Sequence, residues 1–357
     1  MSPLLHLLLP GVLFMLCSCV SSEPNRNPRA GLGHPRMADH QAQEWPAPGQ
    51  CSDQPAIPHG LLFPAQGEAR ATLLCLHGIQ THAVWFAPLA DILTKNHFNV
   101  VALDRRGSGM NTTGSFVKGH ADGPKELLDD LMHQIDVVEK DPKLRHTPLY
   151  LVGTSWGSNV ATVYVSQRKD QRIKGVIQLV PATRSFFEKP GQAFFASIAS
   201  AIAPCWARKL PFGPNHYQPG NPQPRPRDHG PERSSVNESA PLPLPDPELA
   251  NWLAVDNEED RSRQIRPVSV NKPSVRLLHT GLSLARDWRK AHEPLPVPLL
   301  VIVAERDQIM DNQAAWTAAV AHAPRHHLEV IPGAGHGAQI THPDLIAKYI
   351  VHWVHRP

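Results

Sequence analysis

The segment 151-LVGTSWGSNV-160 sets a serine between two glycines at the end of an apolar run. Ser155 could be a nucleophile held on a sharp turn, or an ordinary serine in a Gly-rich loop. The pattern G-x-S-x-G is cheap by itself, because glycine and serine are both common. Its meaning depends on its flanks. Before it stands "PLYLVG" (148–153), a short continuous apolar run of the buried-strand kind. After it comes "WGSNVATVYVSQR" (156–168), which reads as a helix. A strand-to-helix turn that tight needs Gly153 and Gly157, where side chains would clash. The N-terminus of the following helix favours negative charge developing above it.

The same alternation extends in both directions. "ATLLCLHG" (71–78), "FNVVALD" (98–104), "IKGVIQLV" (173–180), "VPLLVIVA" (297–304) and "HHLEVIP" (326–332) read as further strands. Between them, "WFAPLADILTKNH" has helical spacing at Phe86, Leu89, Ala90 and Leu93. "PKELLDDLMHQIDVVEKDP" has it at 127, 128, 131, 135 and 138, with Pro124 near its start. "NQAAWTAAVAHA" and "HPDLIAKYIVHWVHR" are the later helices. Strands that are apolar throughout, rather than alternately, belong in the middle of a largely parallel sheet covered on both faces by helices. The alternation breaks after Pro181 and resumes near 297. The interruption, about 182–296, reads as a cap inserted into one α/β domain. It opens on an apolar cluster (Phe186, Phe187, Phe194, Phe195, Ile198, Ile202), which could line an acyl pocket or meet lipid, or simply pack the cap onto the body. Its middle, 204–247, holds 12 prolines and is expected to be irregular; Arg225, Arg227 and Arg233 there read as solvated. "SVRLLHTGLSLARDWRKA" (274–291) closes it as an amphipathic helix.

A serine hydroxyl is a weak nucleophile near neutral pH and needs a base. Doubly wound sheets gather functional loops at the carboxyl ends of their strands. That rule points to an acid after the strand ending near 303 and a histidine after the strand ending near 331. "VIVAERDQIMDN" and "VIPGAGHGAQ" stand there, and they nominate Asp307 as the acid and His336 as the base. Asp311, one helical turn further on, is the second candidate acid, and Glu305 the third. An oxyanion hole requires backbone N–H groups aimed at the developing charge. Trp156, directly after the serine, and Ile79, in the loop "LHGIQTH", are the expected donors, with His77 organising the turn.

Taken together, "LCLHGIQTHAVWFAPLADIL", "VVALDRRGSG", "GTSWG", "VIVAERDQIMDN" and "GAGH" resemble the α/β-hydrolase fold. Within it they resemble the serine aminopeptidase and monoacylglycerol lipase-like (lysophospholipase) family, over roughly residues 60–357. The resemblance implies a mostly parallel central sheet with helices on both faces and an inserted cap. It also implies Ser155, Asp307 and His336 as catalytic triad, Ile79 and Trp156 as oxyanion donors, and "DRRGSG" (104–109) as an architectural loop. The chain departs from the family at Ser158, where a second glycine is common, and at Met110 and Asn111, where a serine usually follows. Trp156 is bulkier than the usual Met or Gln, and each departure could reshape the pocket. The implied activity is serine hydrolysis of a carboxylic ester through an acyl-enzyme, on a lipid-like substrate such as a monoacylglycerol or lysophospholipid. Amide or peptide hydrolysis and acyl transfer share this chemistry. A cell-envelope binding protein retaining the fold is the reading from another class.

Composition bounds the remaining classes. Net charge is +3, from 35 basic and 32 acidic residues, which offers no electrostatic footprint for nucleic acid. No C-x-x-C or His-rich ligand spacing appears, so a structural metal is not expected, and the implied hydrolysis calls for no cofactor. Residues 1–21 read as a signal or lipoprotein signal segment: an apolar run from Leu4 to Leu16, then "LCSC", where Cys19 could carry a lipid and tether the chain to a membrane. The leader has no Lys or Arg, and a start at Met37 would instead give a cytoplasmic chain. Residues 22–58 read as a Pro-rich linker and 59–357 as the α/β domain. Of the cysteines beyond the leader, Cys75 lies in a strand and reads as a small buried hydrophobe. Cys51 and Cys205 are the two that could pair.

Overall fold

Five continuous apolar runs become parallel strands of one sheet because side chains on both of its faces are buried, and a sixth, more polar run, 326–331, becomes its half-buried parallel edge strand. A computed structural model of the protein describes residues 42–46, 59–109, 111, 119–185 and 273–355. Its strands are β1 (Gln43–Trp45), β2 (Gly60–Phe63), β3 (Ala71–Leu76), β4 (Phe98–Leu103), β5 (Leu149–Thr154), β6 (Ile173–Leu179), β7 (Leu299–Ala304) and β8 (His326–Ile331). They lie in the order β1-β2-β4-β3-β5-β6-β7-β8, with β1 and β2 antiparallel and the rest parallel. In β7, Leu299, Val301 and Val303 enter one core while Leu300, Ile302 and Ala304 enter the other. A period-two chain with both faces buried must be apolar at every position, which is the pattern of the sequence.

The helices are α1 (Ala87–Lys95), α2 (Pro124–Lys140), α3 (Trp156–Arg168), α4 (Val275–Arg289), α5 (Asn312–His322), the single turn α6 (Ala338–Thr341) and α7 (Pro343–Val354). Leu127, Leu128, Leu131, Ile135 and Val138 of α2 share a core with α3, α4 and α5. Leu89 and Leu93 of α1 share the opposite core with Ile346 and Ile350 of α7. Residues 156–165 of α3 are all buried, so this helix shows no polar stripe. Cys75 is buried in β3, and burial pushes its thiol pKa well up, as befits a packing residue.

The sheet extends further than the alternation of runs indicates. Residues 43–45 fall in the segment expected to be linker, yet they form the edge strand β1. Trp45 is buried there, and its indole N–H donates to Gln134 Oε1 of α2 at 2.8 Å. A three-residue strand is too short to show a period, so only its pairing reveals it. The leader, Cys19, Met37, Cys51, Cys205, the Phe186–Ile202 cluster and the proline-rich 204–247 stretch lie outside the described residues. Of the inserted segment, 182–185 and 273–296 are described. Among the described residues, no helix is long and apolar enough to cross a membrane.

Candidate active site

From β3 the chain winds outward to β4, then crosses back to β5 on the other side of β3 and continues to β8. The reversal lies between β3 and β5, and the loops leaving their carboxyl ends diverge there into a crevice. Ser155 follows β5 directly. Its φ of 50° and ψ of −118° are strained for a non-glycine residue and cost about 1–3 kcal/mol. The turn is fixed by surrounding backbone: Ser155 N–H donates to Leu179 O at 2.8 Å, and Ala182 N–H to Ser155 O at 3.0 Å. A Cβ on Gly153 would lie 2.4 Å from the Gly157 backbone, and one on Gly157 would lie 2.1 Å from Leu76 O. Both glycines are therefore required by close approach. Ser158, the departure from a second glycine, donates its hydroxyl to Gly153 O at 2.6 Å and laces the turn shut.

The loops after β7 and β8 are joined by their own backbone. Glu305 N–H donates to Ile331 O at 3.1 Å and Arg306 N–H to Ala334 O at 2.9 Å. This extension of the β7–β8 pairing carries His336 to Asp307. Asp307 Oδ2 accepts from His336 Nδ1 at 2.7 Å, and His336 Nε2 accepts from Ser155 Oγ at 2.9 Å. The carboxylate holds the ring proton on Nδ1 and leaves Nε2 as acceptor for the hydroxyl. Asp307 Oδ1 accepts from the amides of Ile309 (2.9 Å) and Met310 (3.0 Å), so the fully buried carboxylate has partners on both oxygens. The other two acids have other work. Asp311 caps α5, accepting from Ala314 N–H at 3.2 Å, and Glu305 accepts from Gly333 N–H at 2.8 Å, tying the two loops together.

The loop after β3 lies against the serine: a Cβ on Gly78 would be 3.8 Å from Ser155 Oγ. Ile79, the next residue, is thereby adjacent to the site. Trp156 is the first residue of α3, where the N–H has no intrahelical acceptor. His77 is buried, and its Nε2 accepts from Arg105 N–H at 3.0 Å. That bond leaves the ring proton on Nδ1, which donates to Gly78 O at 2.6 Å. Burial pushes the His77 pKa down to about 3, and the neighbouring Arg105 charge adds to the shift. His77 is thus a neutral turn-organising residue.

Some site-forming residues escaped the sequence reading. Within "DRRGSG", Arg106 pairs with Glu126 and Asp130 of α2, as an architectural residue should. Arg105 instead reaches the loop after β3, donating to Gly78 O (3.2 Å) and Ile79 O (3.0 Å). Asn111, the other departure, bonds to His59 N–H, to His59 O and to the Asp104 carbonyl, closing the loop onto β2. The Trp156 indole is 5% exposed and packs on Gly281 of α4, where a Cβ would fall 1.7 Å from Trp156 Nε1. A glycine in the middle of the amphipathic run "LLHTGLSL" was the available signal for that partner. Among the described residues, no group of three or more His, Cys, Asp or Glu side chains could hold a metal ion.

A mostly parallel sheet wound outward from β3 in both directions, with a strand–turn–helix at Ser155, defines the α/β-hydrolase fold. Solved structures share it. The monoacylglycerol lipase of Paleococcus ferrophilus superposes with a TM-score of 0.58 at 20% identity, over 82% of this chain and 96% of that one. A soluble variant of the Saccharomyces cerevisiae monoglyceride lipase, in complex with a substrate analog, gives 0.62 at 19% identity, over 85% and 96%. Residues 67–340 match the family described as serine aminopeptidase, S33, and the chain belongs to that family of hydrolases. The S. cerevisiae monoglyceride lipase sequence is 28% identical over 159 residues, 42% of this chain. The matched stretch spans about half the length of that relative, 48%.

Proposed function

We propose that the protein hydrolyses carboxylic esters through an acyl-enzyme formed on Ser155. The observation that carries this reading is the continuous hydrogen-bond chain Ser155 Oγ–His336 Nε2, His336 Nδ1–Asp307 Oδ2, at 2.9 and 2.7 Å. Ser155 Oγ attacks the ester carbonyl as its proton passes to His336 Nε2, and Asp307 stabilises the imidazolium. The N–H groups of Ile79 and Trp156 receive the oxyanion. Collapse breaks the C–O bond, and His336 returns its proton to the departing alcohol. Water then attacks the acyl-enzyme with His336 as base, releasing the acid and restoring Ser155.

The substrate we propose is lipid-like, with a monoacylglycerol or lysophospholipid type of acyl chain. Support comes from the partial match to a monoglyceride lipase and from the apolar cluster that opens the insertion. We propose that the insertion, about 182–296, is a cap: at its first stem Ala182 N–H donates to Ser155 O at 3.0 Å, and its last helix sets Gly281 against the indole of Trp156, the residue after the serine. Labelling with a fluorophosphonate probe tests the nucleophile. Wild type should label and Ser155→Ala should not; equal labelling of both removes the reading. Hydrolysis of p-nitrophenyl esters of graded chain length, beside aminoacyl anilides, tests the substrate. A preference for short chains or for anilides would overturn the lipid assignment. We further propose export, with Cys19 lipidated and tethering the chain. An intact-mass measurement finding an N-terminus at Met37 would refute both.

A further inference from the structure

Two adjacent arginines in the loop after β4 take different partners: Arg106 pairs with Glu126 and Asp130 and holds that loop to α2, whereas Arg105 bonds to the loop after β3. Arg105 Nη1 donates to Gly78 O at 3.2 Å, and Nη2 donates to Ile79 O at 3.0 Å and to Ser108 Oγ at 2.5 Å. Its Cζ lies 4.9 Å from the centroid of the Trp156 ring, within cation–π range. One guanidinium therefore touches both residues whose amides are the oxyanion donors of the proposed reaction. In a trans peptide the C=O and N–H point in opposite directions. The peptide that carries Ile79 N–H has Gly78 O as its oxygen, and that oxygen is held from one side by Arg105 and by His77 Nδ1–H. The Ile79 N–H must then point away from Arg105. Gly78 itself lies against Ser155, where a Cβ would stand 3.4 Å from the serine Cβ.

We infer that Arg105 is a positioning residue that fixes the oxyanion hole from behind. This rests on the reading of Ser155 as nucleophile. The device is useful because an oxyanion donor works only if it is oriented before charge develops. A planar guanidinium can grip two successive carbonyls at once, while a lysine ammonium presents a single point charge without that fork. Stacking on the Trp156 ring ties the same group to the start of α3, so the two amides are set relative to each other by one side chain. Arg105 itself touches no reacting atom.

The test compares wild type, Arg105→Gln, Arg105→Lys and Ser155→Ala on a p-nitrophenyl ester, with a trifluoromethyl ketone as the probe that forms a tetrahedral oxyanion adduct. Removing an oxyanion donor outright costs on the order of 10²–10³ in kcat, so mispositioning one should cost about 10- to 100-fold. Arg105→Gln should lower kcat by that factor with KM changed less than about threefold, and weaken the ketone in parallel. Arg105→Lys should fall between. In a further variant, Arg105→Ala, added guanidinium should restore part of the lost kcat. A purely structural role would shift the melting temperature while leaving the ratio of ketone affinity to KM unchanged. Arg105→Gln with kcat and ketone affinity within twofold of wild type overturns the inference. If Arg105→Gln fails to fold, the same result for Arg105→Lys does so. If Ser155→Ala still turns over, the nucleophile reading itself has failed. If Ser155→Ala is inactive and the Arg105 variants match wild type, only the positioning role is lost.

Discussion

Replacing Asp307 by Asn keeps the shape of the acid and changes only what it offers the imidazole. In the native site Oδ1 accepts from Ile309 and Met310 N–H, and Oδ2 accepts from His336 Nδ1. An asparagine at 307 can keep its carbonyl oxygen on the two amides and turn its NH₂ to His336. The ring must then accept at Nδ1 and carry its proton on Nε2, where it can no longer take one from Ser155. No buried group loses a partner, so the stability cost should stay below about 1.5 kcal/mol. The kinetic cost should be ~10⁴-fold in kcat, about 5.5 kcal/mol of barrier, as for a wrong-tautomer substitution in a triad. Asp311→Asn is the matched control. Asparagine caps a helix about as well as aspartate, and Arg184 sits 4.0 Å from Asp311 with its side chain largely exposed, so that change should leave kcat within about twofold. Steady-state hydrolysis of a p-nitrophenyl ester, with thermal melting of each variant, reads both quantities. An Asp307→Asn protein that melts normally and keeps a tenth of wild-type kcat would refute the reasoning, as would an Asp311→Asn protein that loses as much.

Three further outcomes are expected. Gly281→Ala should destabilise by about 1–3 kcal/mol in urea denaturation, although helix propensity alone would favour alanine by about 1 kcal/mol, because its Cβ would overlap the Trp156 indole. Trp156→Met should relieve most of that cost, and the absence of coupling in the double mutant would discount the contact. His77 has a folded pKa near 3 against 6.5 in a free chain, so the unfolded state binds more protons between those values and stability falls as pH drops through that window. Wild type should lose about 2 kcal/mol more than His77→Asn between pH 7 and pH 5, and parallel profiles would exclude a neutral buried His77. Gly157→Ala should yield little soluble protein, because the added methyl would meet the Leu76 carbonyl at 2.1 Å and backbone cannot step aside; a well-folded variant would contradict the close approach.

The chain by itself determined the α/β class, because apolar runs without alternation and helices with a 3.6-residue stripe are local properties read along the sequence. It also nominated Ser155, Asp307 and His336, since turn chemistry and the carboxyl-end rule locate loops without coordinates. It left three acids open after β7, and the choice came from elsewhere in the chain. The backbone bonds from Glu305 to Ile331 and from Arg306 to Ala334 join two loops and bring Asp307, rather than Glu305 or Asp311, to the imidazole. The edge strand at 43–45, the divergent roles of Arg105 and Arg106, and the fit of Trp156 against Gly281 were likewise decided in three dimensions. Each depends on where a side chain or a short strand meets a segment far away in sequence. Periodicity carries which face of an element is buried; it carries no information about which distant atom a polar group on that element will reach.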